Sequence, residues 1–172
     1  VSMSGRVLTL GLVFFALVFG AALWWFQTRA YYAPIEGVEE IVVAGVPIPV
    51  EDWEGIDADT SPLKLRACFR LALDPPPALL AAAGDPAAAE ATPLVAPDWF
   101  DCFDAPAVTQ ALAEGRARAA LAERNSPWGF DRFVAFEPET RRGWMWRQLN
   151  ECGQATFDGD PAPEGCGAPP ED

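Results

Sequence analysis

The sequence contains no histidine, and Lys64 is its only lysine. Without histidine the chain lacks the commonest general base, which excludes Ser-His-Asp and Cys-His catalysis and histidine phosphotransfer. Its four cysteines never occur as Cys-x-x-Cys, so the motifs of a paired-cysteine zinc site and of a thioredoxin-like redox centre are missing. Gly-rich phosphate loops are missing too. Carboxylates and tryptophans remain as the side chains able to carry chemistry.

One long apolar run lies near the start of the chain. Residues 7–26 form a stretch of 20 residues without a charge. As a helix this run spans about 30 Å, which is the thickness of the hydrocarbon core of a bilayer. Trp24, Trp25, Tyr31 and Tyr32 cluster at its C-terminal end, where amphipathic rings suit the membrane interface. The sequence therefore predicts a transmembrane anchor with an aromatic belt.

A cleaved signal peptide is the alternative interpretation. Residues 20–22, Gly-Ala-Ala, offer a small-x-small site of the kind that signal peptidase cuts. The run is longer than the roughly 7 to 15 apolar residues usual in signal peptides, and an aromatic belt is useful only if the segment stays in the membrane. We therefore expect the anchor to be retained. A lipid-modified anchor is excluded, because no cysteine precedes Cys68.

The charges around the run predict an orientation. Arg6 and Arg29 flank its two ends, so the basic residues on the two sides nearly balance. Between Arg29 and Lys64, however, every charged residue is acidic. We expect a bacterial inner-membrane protein with its N-terminus in the cytoplasm and its C-terminal domain in the periplasm. The expected segments are a cytoplasmic tail at 1–6, the anchor at 7–26, a juxtamembrane linker at 27–35, a periplasmic domain at 36–152 and an acidic Gly/Pro-rich tail at 153–172.

The part of the chain beyond the anchor is strongly acidic. All 25 Asp and Glu lie after residue 35, together with ten of the 12 Lys and Arg, which gives a balance near −15. Such a charge repels nucleic acid and could suit a basic partner, although a solvated acidic surface is the favoured interpretation. We expect no nucleic-acid partner and no cofactor. The expected partners are the membrane itself and an inner-membrane protein complex.

The cysteines agree with an exported domain. Four cysteines, at positions 68, 102, 152 and 166, allow two disulfides in three possible pairings. We favour Cys68–Cys102 and Cys152–Cys166, because Cys166 lies in a flexible tail and most easily meets its sequence neighbour. Each disulfide would stabilise the domain by roughly 2 to 4 kcal/mol.

The remaining patterns predict an α+β domain. Residues 39–53 are expected to form a strand and then an edge or irregular extension, because Gly45 and two prolines interrupt them. A half-buried strand is expected at 63–71, where Leu65 and Phe69 share one face and Cys68 takes the other, and a hairpin at 130–137 and 143–149. Residues 74–98 are Pro/Ala-rich and predict a surface loop with a helical turn at 78–83.

One main helix is expected after Asp104 as its N-cap, continued by helical spacing through Val108, Leu112, Gly115 and Ala119 until Asn125. The expected architecture is a small antiparallel sheet of about four strands with this helix on one face, stapled by the disulfides.

Three groups of residues are candidates for chemistry. Residues 57–61 begin like a calcium loop, but Pro62 stands where such a loop needs glycine, so a capped turn is favoured. Asp98, Asp101 and Asp104 stand beside aromatic residues, a combination that can bind or cleave sugars, but they lie at a helix start, where Asp is favoured as a cap, and this interpretation is preferred. Trp144 and Trp146 share one strand face, for which burial is the favoured interpretation. We therefore assign no catalytic, cofactor-binding or metal residue.

Four strings of the sequence, FGAALWWFQTRAYY, GIDADTSPLKLRACF, WFDCFDA and WRQLNECG, resemble an uncharacterised family of single-pass membrane proteins from alphaproteobacteria, a domain-of-unknown-function family. The resemblance extends from the anchor to Cys152. It implies an inner-membrane anchor and a periplasmic domain, and it transfers no functional residue. Two functions fit these observations: a non-catalytic interaction or accessory protein, or a periplasmic ligand-binding protein or hydrolase that works through carboxylates and tryptophans.

Overall fold

The computed structural model describes residues 5–169. Residues 1–4 of the expected cytoplasmic tail and residues 170–172 of the expected C-terminal tail lie outside the described residues. The chain divides into two compact units, Val1–Tyr32 and Ala33–Asp172, and each is described by itself.

The first unit consists mainly of one apolar helix, α1, at Gly5–Thr28. The helix has 24 residues, a mean hydropathy of 2.4 in its most apolar window and no buried residue. At 1.5 Å per residue it is about 36 Å long, so by length and composition it is able to cross a bilayer. The Trp24 and Trp25 side chains are exposed near its C-terminal end, and the ring of Tyr31 lies 6.2 Å from the ring of Phe26.

The second unit is built on an antiparallel sheet of seven strands. The strands are β1 Ala33–Ile35, β2 Glu40–Val43, β3 Val46–Asp57, β4 Arg66–Leu71, β5 Arg118–Glu123, β6 Phe130–Phe136 and β7 Arg142–Leu149. Their order is β1-β3-β4-β7-β6-β5, and β2 pairs with the first half of β3. The predicted antiparallel α+β fold with an N-terminal apolar helix and two disulfides is confirmed, with more strands than the sequence patterns indicated.

The sheet curves strongly, so that its two ends approach each other. β2 and β3 are joined by a tight turn at Ala44 and Gly45, both with positive φ, which matches the right-handed twist of a hairpin. The Ala44 N–H donates to the carbonyl oxygen of Ala122 on β5 at 2.8 Å. This contact joins the hairpin turn to the strand at the far end of the strand order.

The curved sheet encloses the main hydrophobic core. β2 to β7 all contribute side chains to its inner face, and residues of a short helix, α2 Pro77–Ala82, complete the cluster. The core includes Ile41, Val43, Ile48, Val50, Ala67, Phe69, Leu71, Leu79, Ala120, Ala122, Val134, Phe136 and Met145. The alternation predicted for residues 65–71 is confirmed, except that Arg66 is buried as well.

Aromatic side chains pack on the other face of the sheet. Trp146 on β7 is fully buried, with its ring 6.1 Å from Phe133 and 6.3 Å from Phe103. Phe103 precedes helix α3, Ala105–Ala113, which Asp104 caps by accepting from the Ala107 N–H at 3.1 Å. The burial predicted for Trp144 and Trp146 and the cap predicted at Asp104 are therefore confirmed.

The helix predicted to continue to about residue 124 is wrong beyond Ala113. Gly115 has a φ of +71°, which ends α3 in a left-handed conformation. Residues 118–123 then form β5, where Ala120 pairs with Val134 of β6. Just before β5, Glu114 forms an ion pair with Arg116 at 2.7 Å.

Two disulfides are present, with the pairing that the sequence favoured. Cys68 on β4 is bonded to Cys102, just before α3, and Cys152 is bonded to Cys166. The first ties the segment leading to α3 onto the sheet. The second connects helix α4, Glu151–Asp158, to the C-terminal segment.

Two segments expected to be irregular are more ordered than predicted. The 74–98 loop contains α2, close to the predicted helical turn, and a 3-10 turn at Pro86–Glu90 that buries Ala88. The segment at 153–172 is expected to be an acidic Gly/Pro-rich tail, but helix α4, Glu151–Asp158, extends into it and the side chain of Cys166 is buried.

Candidate functional site: an acidic cleft beside the second disulfide

An open cleft of about 390 Å³ lies beside the Cys152–Cys166 disulfide. We call it the acidic cleft, because five of its lining side chains are carboxylates: Asp85, Glu90, Asp131, Glu151 and Glu164. Its one basic lining residue is Arg124, whose Nη2 lies 3.9 Å from Asp85 Oδ1. The lining comes from the 3-10 turn, the residues after β5, strand β6, the start of α4 and the C-terminal segment.

A hydrogen-bonded cluster of three polar side chains forms one wall of the cleft. Asp131 Oδ1 accepts from the Asn125 N–H at 2.7 Å and from Asn150 Nδ2 at 2.8 Å. Asn150 Nδ2 also lies 3.2 Å from Asn125 Oδ1, which accepts from the Gly129 N–H. The cluster therefore fixes the loop between β5 and β6 against the end of β7.

Local sequence explains why these residues meet. Asn125 has a φ of +51°, a conformation that asparagine tolerates better than most residues. Asn150 is the N-cap of α4, and its Oδ1 accepts from the Gly153 N–H at 3.0 Å. α4 packs closely on the loop, since a side chain at Gly153 would overlap the Gly129 carbonyl.

The second disulfide brings the C-terminal segment to the cleft. The carbonyl oxygen of Cys166 accepts from Trp128 Nε1 at 2.8 Å and from Asn125 Nδ2 at 3.3 Å. These contacts hold residues 164 and 165 at the cleft, where Glu164 and Gly165 are lining residues. The disulfide thus has a positioning role in addition to the stability it provides.

Asp131 is the most buried carboxylate of the cleft, with 7% of its surface exposed. Both of its hydrogen bonds go to Oδ1, and within residues 5–169 it forms no ion pair. In the same part of the chain no three acidic or cysteine side chains converge closely enough to hold a metal ion. The cleft therefore combines one buried carboxylate with carboxylates dispersed around its rim.

The structure gives the three aspartates beside aromatic residues no buried position. Asp98 and Asp101 are exposed, and Asp104 caps α3. Asp57, the first residue of the calcium-like stretch, pairs with Arg147 at 2.9 Å and accepts from the Ala58 N–H. The interpretation of Asp57 to Ser61 as a capped turn is supported by Ser61, which caps a 3-10 turn at Pro62–Lys64.

Comparison with protein families identifies relatives of the domain. A family model described as a family of unknown function, DUF6446, matches residues 38–167. The chain belongs to this family. The match covers β2 to β7, both disulfides and every residue of the acidic cleft, and it begins after α1. Searches among curated proteins and among solved structures found no match.

Sequence patterns did not reveal the acidic cleft, because its lining residues extend from position 85 to position 165. One signal was present. Asn125 and Asn150 each stand at the end of a predicted element, where asparagine is typical of turns and caps. Nothing in their spacing indicated that Asp131 would join them.

Proposed function

We propose that this protein is a membrane-anchored accessory protein whose disulfide-bonded domain lies outside the cytoplasm and holds a protein partner beside the membrane. The observation that carries this proposal is α1. None of its residues is buried, and its apolar side chains are exposed on every face of the helix. A helix of this length and hydropathy is stable in that state when lipid surrounds it.

The disulfides support a location outside the cytoplasm. All four cysteines are bonded in pairs, and structural disulfides persist in oxidising compartments. The acidic residues that follow Arg29 favour the same side for the domain. We therefore propose the inner membrane of a bacterium, with residues 7–26 as a single span and the domain in the periplasm.

A binding role is favoured over turnover by how the carboxylates are used. Asp104 is engaged as a helix cap, whereas Asp98 and Asp101 are exposed to solvent. General acid–base catalysis near neutral pH requires a carboxyl whose environment raises its pKa. A tether serves binding directly, because it confines the domain to the membrane surface and raises its effective concentration for a membrane partner.

The test compares three versions of the chain in a deletion strain: the full chain, an exported domain without residues 1–30, and the full chain with residues 7–26 replaced by an unrelated membrane span. We expect the full chain and the replaced-span chain to recover the same cross-linked partner, and the untethered domain to recover much less. Full function from the untethered domain, together with loss of function in a normally folded Asp98→Asn or Asp101→Asn variant, would contradict the proposal in favour of an enzyme.

A further inference from the structure

We infer that the acidic cleft binds a basic segment of the partner protein, with an arginine or lysine side chain directed at Asp131. The inference rests on the proposed function, since it specifies the chemistry of the partner that the domain holds. It assigns a binding role to the carboxylates of the acidic cleft, in addition to the structural role of Asp131 in fixing the loop between β5 and β6.

The first argument is the state of Asp131. A carboxylate that is 7% exposed has lost most of its hydration, and buried charges are normally paired. Within residues 5–169 its charge has no cationic partner, and both hydrogen bonds it accepts go to Oδ1. Oδ2 is not among the fully buried side-chain atoms that lack a hydrogen-bond partner, so it keeps some contact with solvent. Since Asp131 lines the cleft, an incoming cation there would pair with Oδ2.

The second argument is the charge around Asp131. Four more carboxylates line the cleft against one arginine, and that arginine is 3.9 Å from Asp85. Because the described carboxylates do not converge as metal ligands, they suit a cation with several separated donors. A guanidinium group presents five N–H donors and binds carboxylates in bidentate fashion.

The third argument concerns the source of the cation. The cleft is open to solvent, and Pro86, Ala87 and Gly165 contribute to its lining. Such a wall accommodates the methylene stem of a long basic side chain while the backbone of its protein remains outside. Free arginine fills the same subsite but leaves the rim carboxylates without contacts. The occupant we infer is therefore a segment of a protein.

The experiment measures binding of the peptide acetyl-Gly-Arg-Gly-Arg-Gly-amide to the full chain in a nonionic detergent, by calorimetry at low and moderate salt. Two cleft variants are compared, Asp131→Asn and the double variant Glu90→Gln/Glu164→Gln. The control is Glu51→Gln/Glu54→Gln. It removes the same charge as the double cleft variant, but from exposed positions on β3 outside the cleft. Circular dichroism verifies that each variant is folded.

We expect saturable binding that each cleft variant weakens about tenfold or more, because charge-assisted hydrogen bonds are lost, and that the control leaves nearly unchanged. Free arginine should compete much more weakly than the peptide. Absence of saturable binding, equal weakening by the control and cleft double variants, or equal competition by free arginine would each overturn the inference.

The measurement is independent of the anchor, so a failed tether experiment with intact peptide binding removes only the proposed function. Partner capture that survives Asp131→Asn removes only the inference about the cleft.

Discussion

Phe69 on β4 and Gly143 on β7 lie opposite each other in the sheet, and the Phe69 ring fills the space that a side chain at position 143 would need. The same ring stacks on Trp53 of β3 with centroids 6.1 Å apart. A glycine on a central strand, which by itself weakens a sheet, is thus required here by an aromatic residue on the neighbouring strand.

Gly143→Ala should therefore destabilise the domain by about 1 to 3 kcal/mol, the usual consequence of overpacking a core. The measurement is denaturant unfolding of the full chain in detergent. Combining the change with Phe69→Leu should recover part of the loss, because the smaller side chain vacates the space. Strictly additive losses in the double variant would show that the ring is not the obstacle.

Arg66 holds residues 94 and 95 against the sheet. Its Nε donates to the Leu94 carbonyl at 2.8 Å, its Nη2 to the Val95 carbonyl at 3.1 Å and its Nη1 to the Leu63 carbonyl at 2.7 Å. Lysine cannot reproduce this fork, so Arg66→Lys should lower the free energy of unfolding by about 2 kcal/mol. Arg70→Lys is the matched control. Arg70 is exposed and 3.6 Å from Asp52, and its change should have an effect below about 0.5 kcal/mol. Equal effects would contradict the assigned role of Arg66.

The two disulfides should differ in their contribution to stability. Cys68–Cys102 closes a loop of 34 residues and Cys152–Cys166 one of 14. Loop entropy alone predicts that replacing the first pair with alanine costs about 1 kcal/mol more than replacing the second. Thermal or denaturant unfolding of the two double variants measures the difference. A larger loss from the second pair would mean that the contacts of the Cys166 carbonyl outweigh loop length.

Glu114 provides a pH-dependent prediction. A hydrogen bond from the Arg116 guanidinium, followed by one from Gln110, lowers the pKa of this exposed carboxyl below its usual range. Because the folded-state pKa is depressed, its contribution to stability is present above the unfolded-state pKa and is lost as the pH falls through the folded-state value. Carboxyl NMR should show Arg116→Gln raising the titration midpoint of Glu114. An unchanged midpoint would show that the ion pair at 2.7 Å does not persist in solution.

Sequence patterns predicted the elements whose burial follows a simple period. The strand ending at Leu71 alternates, and its buried residues match except for Arg66. The hairpin at 130–149 was predicted as well, although consecutive residues of β6 and β7 are buried on both faces. The segment after Ala113 misled the prediction, because alanine, arginine and glutamate favour helices. There, pairing with β6 and burial of Ala120 and Ala122 outweigh helix propensity. Gly115 directly after Glu114 was the available stop signal.

The acidic cleft lay beyond prediction for a different reason. Its geometry depends on long-range pairings: the β6–β7 register places Asp131 opposite Gln148, and the second disulfide returns Glu164 to the cleft. Local patterns report caps and turns, such as Asn150, but they do not report which distant side chains share a surface.

The central claim is that the domain stays attached to the membrane and lies outside the cytoplasm. The most direct measurement fuses an enzyme that is active only outside the cytoplasm after Asp172 and determines the N-terminal sequence of the mature fusion protein. We predict an active reporter on a membrane-bound protein that retains residues 7–26. An inactive reporter would contradict the orientation, and a mature protein beginning at Leu23 would contradict the anchor.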